Sequence, residues 1–176
     1  MWSSCIKCTV MRLGNRELDL SQPQVMAIIN VTDDSFFEGS RTVDEQSIAA
    51  RVREAIASGA TILDVGGYSS RPGAKELSVD EEWERVRKGL RSIKDVAADA
   101  FVSVDTFRSE VVRRAVEEFG DVIVNDISAG ELDDEMIDVV AKYNLPYIAM
   151  HMRGTPQTMQ SLTEYPNGVV EEVCRY

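Results

Sequence analysis

Phe101–Asp126, FVSVDTFRSEVVRRAVEEFGDVIVND, shows most clearly which fold this chain adopts. Two short runs rich in β-branched residues, Phe101–Asp105 and Asp121–Asn125, enclose a segment in which apolar residues recur at helical spacing. Both runs are apolar almost throughout rather than alternating, which is typical of strands buried on both faces of a parallel sheet. The stretch therefore predicts a strand–helix–strand unit with parallel strands.

The same alternation continues on both sides of this unit. Further strand-like runs are Val25–Asn30, Thr61–Val65 and Pro146–His151. Further amphipathic stripes are Ile48–Ile56, Val79–Ala97 and Met136–Tyr143. Two helix starts carry capping boxes, Thr42 with Glu45 and Ser78 with Glu81. The sequence thus predicts five strands in a repeating βα series.

Residues 1–20 precede this series and predict a β-hairpin, because Gly14-Asn15 separates two strand-like segments. Residues 25–176 hold the βα units. An eight-stranded TIM-type (βα)8 barrel needs roughly 250 residues, so 176 residues fit either a five-stranded open sheet or the first five-eighths of a barrel. The helical segment Gly168–Tyr176, where the sequence stops, favours the barrel. We expect one α/β barrel domain over 1–176, truncated to about five βα units and incomplete at the C-terminus.

Composition excludes several functional classes. The 19 basic and 30 acidic residues leave a net charge of −11, which disfavours nucleic acid and anionic membranes as partners. No apolar run is long enough to span a membrane, and residues 1–20 do not resemble a secretory signal. Three cysteines suit a reducing cytoplasm, and Cys5-Ile6-Lys7-Cys8 without a second pair is a poor zinc site. The single histidine excludes multi-histidine zinc sites.

Each predicted strand carries a polar residue near its C-terminal end. In βα folds this end of the sheet carries the active site. A polar strand end can also serve only as a turn or a helix cap, but five in register favour a functional face. The residues are Asn30, Asp64, Asp105, Asn125 with Asp126, and His151.

Asp105 and Asn125 lie at the ends of neighbouring strands. A carboxylate that points partly inward needs a partner, and a ligand with two adjacent N–H groups would supply one. Asn125 adds a donor and an acceptor. Together they predict a site for a flat, polar heterocycle resembling guanine. The alternative is that Asp105, with Thr106, caps the helix that starts near Ser109.

Two loops after the strands have a composition suited to binding. Residues 66–73, GGYSSRPG, combine glycines that permit close backbone approach with Arg71, a planar cation for carboxylate or phosphate. Residues 30–39, NVTDDSFFEG, are dense in oxygen ligands suited to Mg²⁺ and hold two aromatic rings. An ordinary surface loop and a solvated acidic loop are the respective alternatives.

Taken together, these segments closely resemble dihydropteroate synthase of the folate pathway, from about Val25 to the end of the sequence. The resemblance rests on ordered motifs at successive strand ends. They are Asn30-Val31-Thr32 with Asp34-Ser35-Phe36, Asp64-Val65-Gly66-Gly67 with Ser70-Arg71-Pro72-Gly73, Ser103-Val104-Asp105-Thr106, Asn125-Asp126-Ile127-Ser128, and Met150-His151-Met152 with Gly154, Pro156, Thr158 and Met159.

The resemblance implies an eight-stranded βα barrel and a transferase, the sulfonamide target. It would condense 6-hydroxymethyl-7,8-dihydropterin diphosphate with 4-aminobenzoate and release diphosphate. The family is often homodimeric. The implied metal is Mg²⁺, with Asn30 at the metal and diphosphate. The implied substrate-binding residues are Asp105 and Asn125 at the pterin edge, Ile127 and Met150 along the pterin slot, Ser70, Arg71, Pro72 and Phe36 around aminobenzoate, and Asp64 in support.

The sequence departs from the family pattern in a few places. Asp33 stands where the family usually has proline, Glu38 where it has aspartate, Tyr68 where glutamate is frequent, and Ser70 where it has threonine. The family's later aspartate, its pterin-binding lysine and its C-terminal Arg-x-His motif have no counterpart in these residues. The 176 residues alone are therefore expected to be inactive.

No protein nucleophile is expected in this reaction, which agrees with the absence of a Ser–His or Cys–His pattern. Two other interpretations remain open. One is a pterin-binding methyltransferase domain, which shares the barrel and the Asp and Asn contacts, although the Ser70–Gly73 and Asn30 loops argue against it. The other is a non-catalytic pterin-binding fragment.

Overall fold

The computed structural model describes residues 9–31, 41–69 and 76–176, with residues 41–44 described by their backbone alone. Strands β1 (Val10–Leu13) and β2 (Arg16–Asp19) form an antiparallel hairpin. Gly14 adopts a φ of 56° in the two-residue turn between them, a conformation that glycine takes without steric cost. The predicted hairpin is confirmed for the described residues.

A five-stranded parallel sheet follows, in the order β3-β4-β5-β6-β7. Its strands are β3 (Met26–Asn30), β4 (Ile62–Gly66), β5 (Phe101–Asp105), β6 (Ile123–Asp126) and β7 (Tyr147–Ala149). The helices are α1 (Arg41–Ala57), α2 (Val79–Val96), α3 (Ser109–Phe119), α4 (Met136–Tyr143) and α5 (Val169–Arg175), with a short 3₁₀ helix at Met159–Ser161. This is the predicted βα series.

Two local predictions have different outcomes. The capping box of α2 is confirmed: Glu81 N donates to Ser78 Oγ at 3.2 Å, and Ser78 N donates to Glu81 Oε2 at 2.9 Å. The box at Thr42 is wrong, because α1 already begins at Arg41 and Thr42 lies inside it. None of the described helices is long and apolar enough to cross a membrane.

The outer face of the sheet packs against the helices in the main core. Its fully buried strand residues include Leu63, Val65 and Val104. Gly89 of α2 allows close packing here, because a Cβ at that position would lie 2.6 Å from Val65 Cγ1. The helices therefore cover the outer face of the sheet and not its inner face.

The inner face is closed at only one end. At the amino ends of the strands, Leu13 and Leu18 of the hairpin pack on Ile62, Phe101 and Ile123. Further along the same face, apolar side chains are exposed to solvent: Ile28 is 57% exposed and Ile148 is 37% exposed. The open part of this face lies toward the carboxyl ends of the strands, where the predicted site residues are found.

Candidate functional site

Strand register brings four predicted positions to one level at the carboxyl edge of the sheet. Asn30 pairs with Gly66, Gly66 with Asp105, and Asp105 with Asn125. Because alternate residues of a strand share a face, Asp64 lies on the same face as Gly66 but two residues earlier. β4 runs on to Gly66, so Asp64 is not the strand end that the sequence suggested. It forms a deeper layer, opposite Ser103.

Gly66 keeps the space between Asn30 and Asp105 open. A Cβ at Gly66 would lie 3.3 Å from Asp105 Oδ2 and 3.7 Å from Asn30 Oδ1. The two side-chain oxygens therefore face each other across a residue that has no side chain of its own. Any larger residue there would occupy the gap between them.

Asp105 is a half-buried carboxylate for which the described part of the chain supplies no hydrogen-bond donor. Burial raises its pKa to about 7, and the negative charges of Asp64, Glu82 and Asp126 act in the same direction. An unpartnered acid in such a place costs folding free energy. A ligand that donates N–H groups to the carboxylate would offset this cost.

The alternative role of Asp105 as a helix cap is wrong. Helix α3 begins at Ser109, whose backbone N–H donates to Asp133 Oδ2 at 2.7 Å. Thr106 Oγ1 accepts from the backbone N–H of Arg108 at 3.1 Å. Thr106 and Asp133 therefore accept the first N–H groups at the start of α3, and Asp105 takes no part in the cap.

Asp64 and Asn125 form the deeper part of the site. Asn125 Nδ2 donates to Asp64 Oδ2 at 3.1 Å. Asp64 is 3% exposed, and burial raises its pKa, while the nearby Ser103 hydroxyl and the Asn125 amide oppose the rise. Asp64 Oδ1 and Ser103 Oγ are buried without a hydrogen-bond partner in the described structure. The floor of the site is therefore polar and only partly satisfied.

The arrangement favours a ligand that brings N–H donors. Asn125 uses its Nδ2 on Asp64, so its Oδ1 is left as an acceptor beside the carboxylate of Asp105. A cleft adjoins Asp105, and its wall carries both polar and apolar groups. The cleft is lined by Tyr68, Asp105, Thr106, Phe107, Ile127 and Pro156. A flat heterocycle with adjacent N–H groups meets both features.

Ile127 and Met150, predicted as walls of the slot, occupy different surroundings. Ile127 lines the cleft beside Asp105. Met150 lies just beyond β7, where its N–H donates to Asp126 O at 3.0 Å and its side chain is 39% exposed. Both residues are near the carboxyl edge of the sheet, but only Ile127 borders the described cleft.

Two of the polar strand ends are structural. Asp126 is fully buried and accepts four hydrogen bonds at 2.8 Å, from the backbone N–H groups of Ser128 and Gly130 and from the hydroxyls of Ser128 and Tyr147. His151 lies beyond β7, and its ring contacts Tyr176 with 4.6 Å between ring centroids. Neither belongs to the row formed by Asn30, Asp105 and Asn125.

Sequence reasoning missed a buried ion pair beside the site. Glu82 of α2 is fully buried and pairs with Arg108, with 2.9 Å between Oε2 and Nη1. Burial raises the pKa of Glu82, and the hydrogen bond from Thr106 and the charge of Arg108 oppose the rise. The sequence did indicate that Glu82 is buried, because it falls on the apolar face of α2 between Val79 and Val86.

Several predicted residues lie outside the described residues. They are Phe36, Ser70, Arg71 and Pro72 of the aminobenzoate pocket, together with the acidic loop residues and Cys5 and Cys8. Within the described ranges, no group of three or more His, Cys, Asp or Glu side chains is placed to hold a metal ion. Asn30, at the exposed end of β3, is the one predicted metal ligand whose position is described.

Comparison with known proteins assigns the chain to a family. Residues 26–176 match the family described as "Pterin binding enzyme". Dihydropteroate synthase of Escherichia coli strain K12 is 43% identical over 162 residues, which are 90% of this chain and 55% of that protein. The mitochondrial folate synthesis bifunctional protein of Arabidopsis thaliana is 40% identical over 169 residues, which are 94% of this chain and 30% of that protein.

A solved structure of Xanthomonas albilineans dihydropteroate synthase with 4-aminobenzoic acid has the same fold over the matched part. The two structures match with a TM-score of 0.80 and 35% sequence identity. The match covers 95% of this chain and 57% of the Xanthomonas albilineans chain. The chain spans about half the length of the bacterial synthases it matches, which agrees with a barrel represented by about five βα units. The chain belongs to the family of pterin-binding enzymes.

Proposed function

We propose that the full-length protein is a dihydropteroate synthase, a transferase of folate biosynthesis. It condenses 6-hydroxymethyl-7,8-dihydropterin diphosphate with 4-aminobenzoate to give 7,8-dihydropteroate and diphosphate. The observation that carries the proposal is the free carboxylate of Asp105, in register with Asn125 and beside a cleft, in a chain of this family.

The pterin ring is the substrate that this row of acceptors suits. Its edge carries adjacent N–H donors, which the Asp105 carboxylate and Asn125 Oδ1 can accept. A hydrogen bond to an ionised carboxylate in a desolvated slot is stronger than a neutral one. Ile127 provides an apolar wall to the cleft, and we propose that Met150 adds a second one once the pterin is bound.

The aminobenzoate pocket is proposed on the resemblance alone. Ser70, Arg71 and Pro72 would hold the carboxylate and ring of aminobenzoate, and Phe36 would cover the ring. The choice of ligand is supported by the related Xanthomonas albilineans synthase, which was solved with 4-aminobenzoic acid. Tyr68, where the loop leaves β4, lines the described cleft and brings an aromatic edge to the same side of the site.

Mg²⁺ is proposed at Asn30. A hard cation prefers oxygen ligands, and Mg²⁺ commonly keeps several waters and substrate phosphates with only one or two protein ligands. Asn30 fits this pattern, because it ends β3 on the exposed edge and its Oδ1 faces the gap over Gly66. The bound metal would neutralise charge on the departing diphosphate.

The described residues contribute binding and orientation rather than nucleophilic chemistry. Asp105 and Asn125 fix the pterin edge, so that the carbon bearing the diphosphate is held at the open side of the sheet. Asp64 holds Asn125 in the orientation that presents Oδ1 to the ligand. Positioning two substrates for direct displacement removes much of the entropic part of the barrier.

The proposal is tested with the purified full-length protein, both substrates and Mg²⁺. We expect dihydropteroate and diphosphate in equal amounts, with loss of product when the metal is chelated. A matched reaction without aminobenzoate is the control. Absence of dihydropteroate, with methyl transfer to or from a pterin cofactor instead, would overturn the proposal in favour of a methyltransferase.

We also propose a cytoplasmic location and a homodimer. The first rests on the three cysteines, and the second rests on the family resemblance. Some relatives are named as mitochondrial, so fractionation of cells that express the natural protein is the direct measurement. Light scattering on the full-length protein measures its oligomeric state.

A further inference from the structure

Glu82 is a buried charge that contacts both sides of the site. It is 0% exposed, and its Oε1 accepts from Thr106 Oγ1 at 2.6 Å while its Oε2 pairs with Arg108 Nη1 at 2.9 Å. A buried carboxylate is costly unless its partners are well placed. Both oxygens of Glu82 are occupied, so the geometry of these partners is closely determined.

Arg108 extends this contact to the loop that follows β4. Its Nη2 donates to Leu77 O at 2.7 Å, just before helix α2. Its guanidinium carbon lies 5.5 Å from the centre of the Tyr68 ring and 5.3 Å from that of Phe107. These two rings meet edge to face at 5.2 Å. Arg108 therefore contacts described residues on both sides of positions 70–75, namely Tyr68 and Leu77.

Thr106 extends the same contact to the pterin side. It follows Asp105 directly, and its backbone N–H donates to Asn125 O at 3.1 Å. Glu82 is thus one hydrogen bond from the backbone that carries Asp105. Through its ion pair with Arg108, Glu82 is also linked to Tyr68 and Leu77.

We propose that Glu82 and Arg108 are a positioning pair that couples Tyr68 and Leu77, described residues between β4 and α2, to the turn after β5, and so sets the geometry in which the two substrates meet. This rests on the proposed synthase function, in which the loop after β4 holds aminobenzoate and the turn after β5 holds the pterin. Neither residue takes part in bond making. Their role is to hold Tyr68 and Leu77 in a fixed position relative to Asp105.

A surface pair on the same helices shows why stability alone is an insufficient role. Arg87 of α2 pairs with Glu118 of α3 at 2.6 Å, with both side chains about one-third exposed. That pair already ties α2 to α3 far from the cleft. A buried pair is weak evidence for stability, since apolar residues of similar size often serve as well. The buried pair instead fixes the orientation of its partners, because the planar guanidinium of Arg108 presents its donors in a rigid geometry.

The experiment measures steady-state kinetics and pterin affinity of the full-length protein with E82Q, R108K, T106V and T106S. We expect E82Q and R108K to lower kcat/KM for aminobenzoate by roughly tenfold to a hundredfold, as expected for misplaced reactants. The dissociation constant for the pterin alone should change less than about threefold, because Asp105 and Asn125 remain. T106V should behave like E82Q, and T106S should restore activity. The matched control R87Q should leave both values unchanged.

Hydrogen exchange of the ligand-free protein separates this proposal from the proposed function. We expect T106V, altered only on the β5 side, to speed exchange of the amides at 66–69 and 76–78 on the β4 side. If wild type makes no dihydropteroate, the proposed function fails and exchange alone decides the coupling. Faster exchange confined to the β5 side, or kinetics of folded T106V equal to those of T106S, would overturn the coupling. T106V keeps this test available if E82Q does not fold.

Discussion

Asn125 donates a hydrogen bond from Nδ2 to Asp64 Oδ2, with 3.1 Å between the two atoms. This contact fixes which way the Asn125 amide faces. Its Oδ1 is left as an acceptor, and Asn125 is in register with Asp105 on the neighbouring strand. The buried acid of one strand thereby determines what kind of edge the neighbouring strands can recognise.

Asp105→Asn is expected to weaken pterin binding by on the order of 2–4 kcal/mol, because one charge-assisted acceptor becomes a mismatched donor. Calorimetry with a pterin ligand on the folded full-length protein measures it. Asp126→Asn is the matched control, since Asp126 already has four protein donors. The control should lose thermal stability while folded molecules keep their affinity. Unchanged affinity in Asp105→Asn would contradict the assignment.

The pKa of Asp105 predicts opposite pH effects on binding and on stability. Burial raises it from 3.8 to about 7, so pterin affinity should rise with pH until about 7 and then level off. Between pH 3.8 and about 7, Asp105 keeps its proton in the native state and loses it in the unfolded state. The stability contribution of the acid is therefore complete below pH 3.8 and decreases as the pH rises toward 7.

Denaturant unfolding at pH 5 and pH 8 measures the second effect. Wild type should lose stability from pH 5 to pH 8, whereas Asp105→Asn lacks the titrating group and should not lose it. The free energy of unfolding of the variant should therefore rise relative to that of wild type. The gain should be of order 1–3 kcal/mol, since each pKa unit corresponds to about 1.4 kcal/mol and only part of the shift lies in this window. An identical stability difference at both pH values would rule out a raised pKa.

Gly66→Ala is expected to reduce ligand affinity about tenfold while changing stability by less than about 1 kcal/mol. The added Cβ enters the gap between Asp105 Oδ2 and Asn30 Oδ1, but alanine is not disfavoured relative to glycine in a strand. Gly89→Ala is the contrasting variant. Its Cβ would lie 2.6 Å from Val65 Cγ1, so overpacking should cost about 1–3 kcal/mol of stability with no change in affinity. Equal effects of the two variants on binding would contradict this.

Residues 1–176 by themselves are expected to associate and to have no synthase turnover. Strands β3 and β7 are the edges of the described sheet, and Ile28 and Ile148 are exposed on its inner face. Unpaired edges and exposed apolar residues recruit other chains. Size-exclusion light scattering and a turnover assay measure both properties. A monomer with the turnover of the full-length protein would show that these residues suffice.

The order of the elements could be predicted from the sequence, because burial pattern and helical periodicity are local properties of the chain. The five strands and the helices between them agree with the predictions to within a few residues at their ends. Strand β7 ends at Ala149, two residues before the predicted end, so Met150 and His151 lie beyond it. Strand ends depend on pairing with a neighbour, and this information is not local.

Which polar strand ends face the open side of the sheet depends on tertiary packing. Asn125 and Asp126 are consecutive and equally polar, yet Asn125 faces the open side while Asp126 is buried among four donors. Adjacent strand residues point to opposite faces, so the outcome depends on which face the helices cover. The position of Glu82 on the apolar face of α2 could be seen in the sequence, but its partners could not. A buried acid is stable only where partners from other elements meet it, and Thr106 and Arg108 reach it only after the strands have paired.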